Sequence, residues 1–124
     1  MQSHPEPRKP LLIYDGDCSF CRACVDYGRR LTGEAVAYAP YQQVADQFPQ
    51  IPRENFRTAA QFVDGTGKVS SGAEAVFRAL SCAPGWRWPL WLYTRFRPFA
   101  AISELVYRWI ARHRGGLSRL MGWR

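Results

Sequence analysis

Leu11-Leu12-Ile13-Tyr14 runs directly into Asp15-Gly16-Asp17 and then into Cys18-Ser19-Phe20-Cys21-Arg22-Ala23-Cys24, and this junction constrains the fold more than any other stretch. Four consecutive apolar residues bounded by turn chemistry read as a buried strand. Neither proline nor glycine interrupts the chain from Cys18 until Gly28, so the spacing predicts a helix from Cys18 to Leu31. A Cys-x-x-Cys therefore falls where a strand hands over to a helix. The unpaired N–H groups and positive dipole end of a helix start stabilise a thiolate, which is the reactive form of cysteine. Cys18 is placed at or near the N-cap as the more exposed, attacking sulfur, and Cys21 one turn in as the more buried, resolving one.

The rest of the chain reads in order from that junction. Residues 1–10, polar and broken by Pro5, Pro7 and Pro10, read as a disordered lead-in with no signal sequence. After the cysteine helix, Ala35 to Ala39 reads as a second strand stopped by Pro40, and Tyr41 to Phe48 as one or two helical turns. Thr58 to Val63 reads as a third strand. Asp64-Gly65-Thr66-Gly67 turns it back into an antiparallel fourth strand over Lys68 to Ser70. Ala73 to Leu80 is an amphipathic helix that stops at Pro84-Gly85. A βαβ half followed by a ββα half is the order of the thioredoxin fold, so the expected class is α/β, thioredoxin-like, over residues 11–85. Residues 86–124 form an added C-terminal helical segment packed on that core. Its main helix is expected from about Ala100 to His113, ended by Gly115-Gly116, with a short basic tail from Leu117 to Arg124.

The length of 124 residues and the 47% apolar content suit one compact domain. No stretch approaches the roughly 18 to 20 apolar residues of a membrane span. A cytoplasmic location is the expectation, and in a reducing compartment paired cysteines are more often catalytic or metal-binding than structural. The net charge of +7 is unevenly placed: nine basic residues meet nine acidic ones through Gly85, whereas eight arginines meet Glu104 alone from Trp86 onward. Any contact with a polyanion, a membrane surface or an acidic partner is thus expected to lie in residues 86–124, away from the cysteines. Nucleic acid is disfavoured because no recognition motif accompanies the charge.

Asp15-Gly16-Asp17-Cys18-Ser19-Phe20-Cys21 after an apolar strand resembles the signature of the DCC family of predicted thiol-disulfide oxidoreductases, named for Asp-x-x-Cys-x-x-Cys. Gly72-Ala73-Glu74-Ala75, Pro84-Gly85-Trp86 and Val106 to Arg114 agree with the same family in the same order. The resemblance implies a thioredoxin-like fold, a redox dithiol at Cys18 and Cys21, Asp15 as the motif acid, and protein or small-molecule disulfides or thiols as substrates. It implies no cofactor. His113 stands where the family more often has Asn. Thioredoxins place a cis-proline just before the third strand, and here Arg57-Thr58-Ala59 holds none.

The competing reading is a non-enzymatic metal-binding or partner-docking module on the same scaffold. Cys24 extends the motif to Cys-x-x-Cys-x-x-Cys, but Gly28 occupies the place of a fourth local cysteine and there is no second Cys-x-x-Cys. No metal ligands are therefore assigned. Cys24 and Cys82 are expected to be small buried hydrophobes, and Asp15 is equally readable as a turn or capping residue. Asp15 and Asp17 set negative charge against the helix dipole, which favours a modest, reductant-like poise. The aromatic residues Trp86, Trp88, Trp91, Phe96, Phe99, Trp109 and Trp123 are expected to serve as core and satellite packing.

Overall fold

The computed structural model describes residues 9–120. Residues 1–8 of the lead-in and 121–124 of the basic tail lie outside the described residues. The elements are β1 (Leu11–Tyr14), α1 (Ser19–Thr32), β2 (Ala37–Pro40), α2 (Tyr41–Val44), α3 (Arg53–Thr58), β3 (Gln61–Val63), β4 (Val69–Ser71), α4 (Gly72–Leu80), α5 (Trp88–Arg95) and α6 (Arg97–Leu120). Short 3-10 turns follow α1 and α2.

The sheet runs β2-β1-β3-β4. β1 pairs parallel with β2, Leu12 opposite Tyr38, and antiparallel with β3, Leu12 opposite Phe62. β3 pairs antiparallel with β4, Phe62 opposite Ser70. This mixed sheet with helices on both faces is the thioredoxin-like α/β arrangement. β1 is interior, so both of its faces are covered, which is why its sequence is a continuous apolar run with no polar alternation. Leu12 joins Val25, Val36, Phe62, Ala75 and Ala79 in the core beneath α1 and α4. Ile13 points the other way, into Ala45, Ile51, Phe56 and Val63 beside α2 and α3.

Four boundaries differ from the sequence reading. β2 begins at Ala37, because a 3-10 turn occupies Gly33–Ala35, and Pro40 is its last paired residue. Proline is tolerated there because β2 is an edge strand with one hydrogen-bonding side unpaired. Thr58 ends helix α3 and the third strand is only Gln61–Val63. Pro52 before α3 and Glu54 in its first turn are ordinary helix-start signals, and Phe56 anchors the helix by stacking on Tyr41 at 5.5 Å. β4 is Val69–Ser71, one residue later than expected. The C-terminal segment forms two helices, and α6 runs through Gly115-Gly116 to Leu120. Glycine in a helix costs about 1 kcal/mol but keeps its N–H donor, so it weakens a helix without ending it.

Glu104 joins the C-terminal helices to the sheet domain. Ser71 makes no side-chain cap on α4. Instead the Glu104 carboxylate, from α6, accepts the N–H groups of Ala73 at 3.2 Å and Glu74 at 3.3 Å and the hydroxyl of Tyr93 at 2.6 Å. A carboxylate at a helix N-terminus satisfies orphan donors and opposes the positive dipole end. Burial, and then the hydrogen bond to Glu104, hold the Tyr93 phenol above its usual range. Gly72 makes the approach possible: its φ is +67°, and a Cβ there would lie 2.7 Å from Glu104 Oε1.

Gly72→Ala is therefore expected to lower stability by about 1–3 kcal/mol, and Glu104→Ala by about 1–2 kcal/mol. Urea unfolding measures both. Because the two changes remove the same contact, the double variant is expected to lose less than the sum of the singles; strict additivity would contradict the shared contact.

Candidate functional site

The site is built on the loop between β1 and α1. Asp15 C=O accepts the Cys18 N–H at 3.2 Å, which closes a tight turn. Asp15 Oδ1 accepts the Asp17 N–H at 3.0 Å, an Asx turn that needs a short acid or amide at that position. Arg22 Nη1 donates to Gly16 C=O at 2.7 Å from one turn inside the helix. Gln42, on α2, then clamps the loop from the side. It donates from Nε2 to Asp15 Oδ1 at 3.0 Å and to Asp17 Oδ2 at 3.4 Å, and accepts the Gly16 N–H at 3.1 Å. Gly16 has no room for a side chain, since a Cβ would meet Pro40 Cβ at 2.7 Å.

That loop delivers Cys18 to the N-cap of α1 with extended backbone, φ −100° and ψ 113°. Its sulfur takes the place that Ser or Asp oxygen usually fills and accepts the Cys21 N–H at 3.1 Å. The two cysteines come within 2.8 Å of each other. Both are half-buried, and all four cysteines of the chain are free thiols. The sulfur at the N-cap thus receives a backbone hydrogen bond and faces the positive end of a 14-residue helix.

Cys21 faces a groove of about 740 Å³ whose walls include Tyr14, Asp15, Phe20, Cys24, Trp86, Tyr107 and Ile110. The last two come from α6, so the C-terminal segment is a wall beside Cys21, contrary to the expectation that it lies away from the cysteines. The Tyr107 hydroxyl accepts the Ala60 N–H at 2.8 Å, at the entrance to β3. Ala60 adjoins Gln61, which pairs with Ile13 one residue before Tyr14. At the residue just before β3 an alanine N–H is thus bonded to a tyrosine of α6.

Of the predicted site residues, the structure brings Asp15, Cys18 and Cys21 into one loop-helix junction. Asp15 shapes the turn and lines the groove. Cys24 lies on the same helix edge and lines the same groove, but it is exposed, contrary to the expectation of a buried hydrophobe. Three-residue steps along a helix carry it around toward solvent, about 60° per step. Cys82 is half-buried against the core beneath α4, with its sulfur toward the Arg78 C=O at 3.7 Å. Among the described residues no group of three or more His, Cys, Asp or Glu side chains is placed to hold a metal. His113 stacks on Trp109 and bonds the Trp109 backbone carbonyl through Nδ1 at 2.8 Å. Gln42 carries no sequence signal, and Tyr107 falls within the Val106 to Arg114 motif without any local mark of its partner, because both partners lie far away in the chain.

Comparison with known proteins gives one family. The model of the DCC1-like thiol-disulfide oxidoreductase family matches residues 12–120. No curated protein and no solved structure matches the chain.

Although Cys24 is exposed overall, partial burial of its thiol along the groove wall, and after it the neighbouring Cys18, push that thiol up from its ordinary range. A raised thiol holds its proton near neutral pH, so alkylation of Cys24 is expected to become fast only in alkaline solution. Cys18→Ser removes the second cause and is expected to shift that onset to lower pH. Iodoacetamide labelling followed across pH by peptide mass spectrometry measures both, and an onset unmoved by Cys18→Ser would contradict the coupling.

Proposed function

This chain belongs to the DCC1-like thiol-disulfide oxidoreductase family, and we propose that it exchanges two electrons with a disulfide or dithiol substrate through Cys18 and Cys21. The observation that carries the proposal is the Cys18 sulfur at the helix N-cap, accepting the Cys21 N–H at 3.1 Å. In the reducing direction the Cys18 thiolate attacks one sulfur of the substrate disulfide. A Cys18–substrate S–S bond forms, the substrate S–S bond breaks, and the other half leaves as a thiolate that takes up a proton. Cys21 then loses its proton to solvent and attacks the Cys18 sulfur. The second substrate thiol departs, and the substrate has gained the two electrons that the new Cys18–Cys21 disulfide has given up. The same steps reversed oxidise a dithiol.

Asp15 enters this scheme as a positioning residue, since its Oδ1 holds the turn that presents Cys18. The sheet domain of residues 11–85 supplies the dithiol, and residues 86–124 supply one wall of the groove through Tyr107 and Ile110. Apolar walls next to Cys21 suit substrates with apolar groups flanking the reacting sulfur. No helix among the described residues is long and apolar enough to cross a membrane. The proposal places the protein in the cytoplasm, where the thiol pool returns Cys18–Cys21 to the dithiol.

Cys21→Ser tests the order of attack. Treated with glutathione disulfide, this variant is expected to accumulate a mixed disulfide on Cys18, because the resolving sulfur is gone. In Cys18→Ser, adduct formation on this loop is expected to fall at least about tenfold. Intact-mass and peptide analysis distinguishes the two, and adducts forming first on Cys24 or Cys82 would overturn the assignment.

A further inference from the structure

The described residues that expose a large hydrophobic side chain are Tyr27 on α1 and seven positions of the C-terminal segment: Trp88, Trp91, Phe96, Ile102, Leu105, Val106 and Trp109, each between 50% and 60% exposed. Ile102, Leu105, Val106 and Trp109 recur at steps of three and four and so share one side of α6. The opposite side is occupied, since Glu104 caps α4 and Tyr107 bonds Ala60, and at the edge of the stripe Phe99 stacks on Phe77 at 5.8 Å. α6 is therefore covered on one side, and its outer apolar stripe is bare. Isolated soluble domains rarely leave so contiguous a patch open.

We propose that this outer stripe docks on the surface of a bilayer that contains anionic lipid, with α6 lying in the interface. Charge selects this occupant. Arg108 and Arg112 flank the stripe on exposed positions, Arg95 lies over the Trp91 ring at 5.4 Å, and Arg97 is exposed at the helix start. Residues 86–124 hold eight arginines, and their one acid, Glu104, is turned inward onto the N-terminus of α4. A second copy of the chain would set arginine against arginine across a two-fold axis with no outward acid to compensate. A convex helix surface also lacks the groove that holds a peptide in register, whereas a fluid lipid surface needs none. Tryptophan and leucine with an arginine rim are the chemistry of a helix that lies in the headgroup region without crossing. The docking is independent of the thiol exchange, because the dithiol lies on the inner side of α6.

Co-sedimentation with vesicles tests this on the full chain. Binding is expected to vesicles of phosphatidylcholine containing phosphatidylserine at about a third of the lipid, to weaken as salt rises, and to be much weaker on phosphatidylcholine alone. Leu105→Ser with Trp109→Ser is expected to weaken binding at least about tenfold, and Arg108→Gln or Arg112→Gln about fivefold each. Both sets are surface changes, and glutathione-disulfide reactivity at Cys18 is expected to remain, which separates failed docking from failed folding or failed redox chemistry. No binding to the anionic vesicles, equal binding to both compositions, or a concentration-dependent dimer abolished by the Leu105/Trp109 variant would overturn the proposal.

Discussion

A helix that starts four residues after a buried strand has four N–H groups to satisfy and only that stretch of chain in which to do it. Here the solution is a sulfur. Cys18 caps α1 by accepting the Cys21 N–H, and its own N–H is tied back to the Asp15 carbonyl. The same hydrogen bond that completes the helix places a thiol sulfur at the positive end of its dipole, so the fold and the proposed chemistry share one contact. Everything around it serves to hold the turn: Gly16 leaves room for Pro40, and Gln42 spans both acids and the glycine backbone. Movement of α2 would therefore be felt at the sulfur, although α2 contributes no reactive group.

The C-terminal helices give the site its second half. Glu104 supplies the cap that α4 lacks, and Tyr107 bonds the backbone at the entrance to β3. These two contacts orient α6 so that Ile110 and Tyr107 close the groove beside Cys21. The opposite side of the helix is left with leucine, isoleucine, valine and tryptophan in contact with solvent. One helix thus connects the wall of the thiol site to the surface on which the protein is proposed to rest.

The central strand, the cysteine helix and the hairpin were legible because each rests on local rules: an apolar run for a strand covered on both faces, an uninterrupted helical stretch, a glycine-rich turn. The dithiol was legible for the same reason. Contacts that depend on long chain separation were not. Gly16 meets Gln42 across 26 residues and Ala60 meets Tyr107 across 47, and neither glutamine nor tyrosine carries a local sign of its partner. Helix α3 had its start signals in Pro52 and Glu54, but Thr58-Ala59-Ala60 reads equally well as strand. The periodicity of Ile102 to Trp109 identified a helix correctly and could not say which side the rest of the protein would cover. Trp88, Trp91, Phe96 and Trp109 are accordingly exposed where packing is expected, whereas Trp86 and Phe99 do pack, Phe99 by stacking on Phe77.

The central claim is that Cys18 and Cys21 act as one two-electron couple at the mouth of α1. Equilibration of the protein with glutathione buffers of graded ratio, with the fraction oxidised read by thiol labelling, tests it most directly. The account predicts that both thiols disappear together in a single transition following a two-electron slope, about 30 mV per tenfold change, and that Cys18→Ser abolishes it. Two thiols lost independently, or a chain that shows no transition at any glutathione ratio, would contradict it.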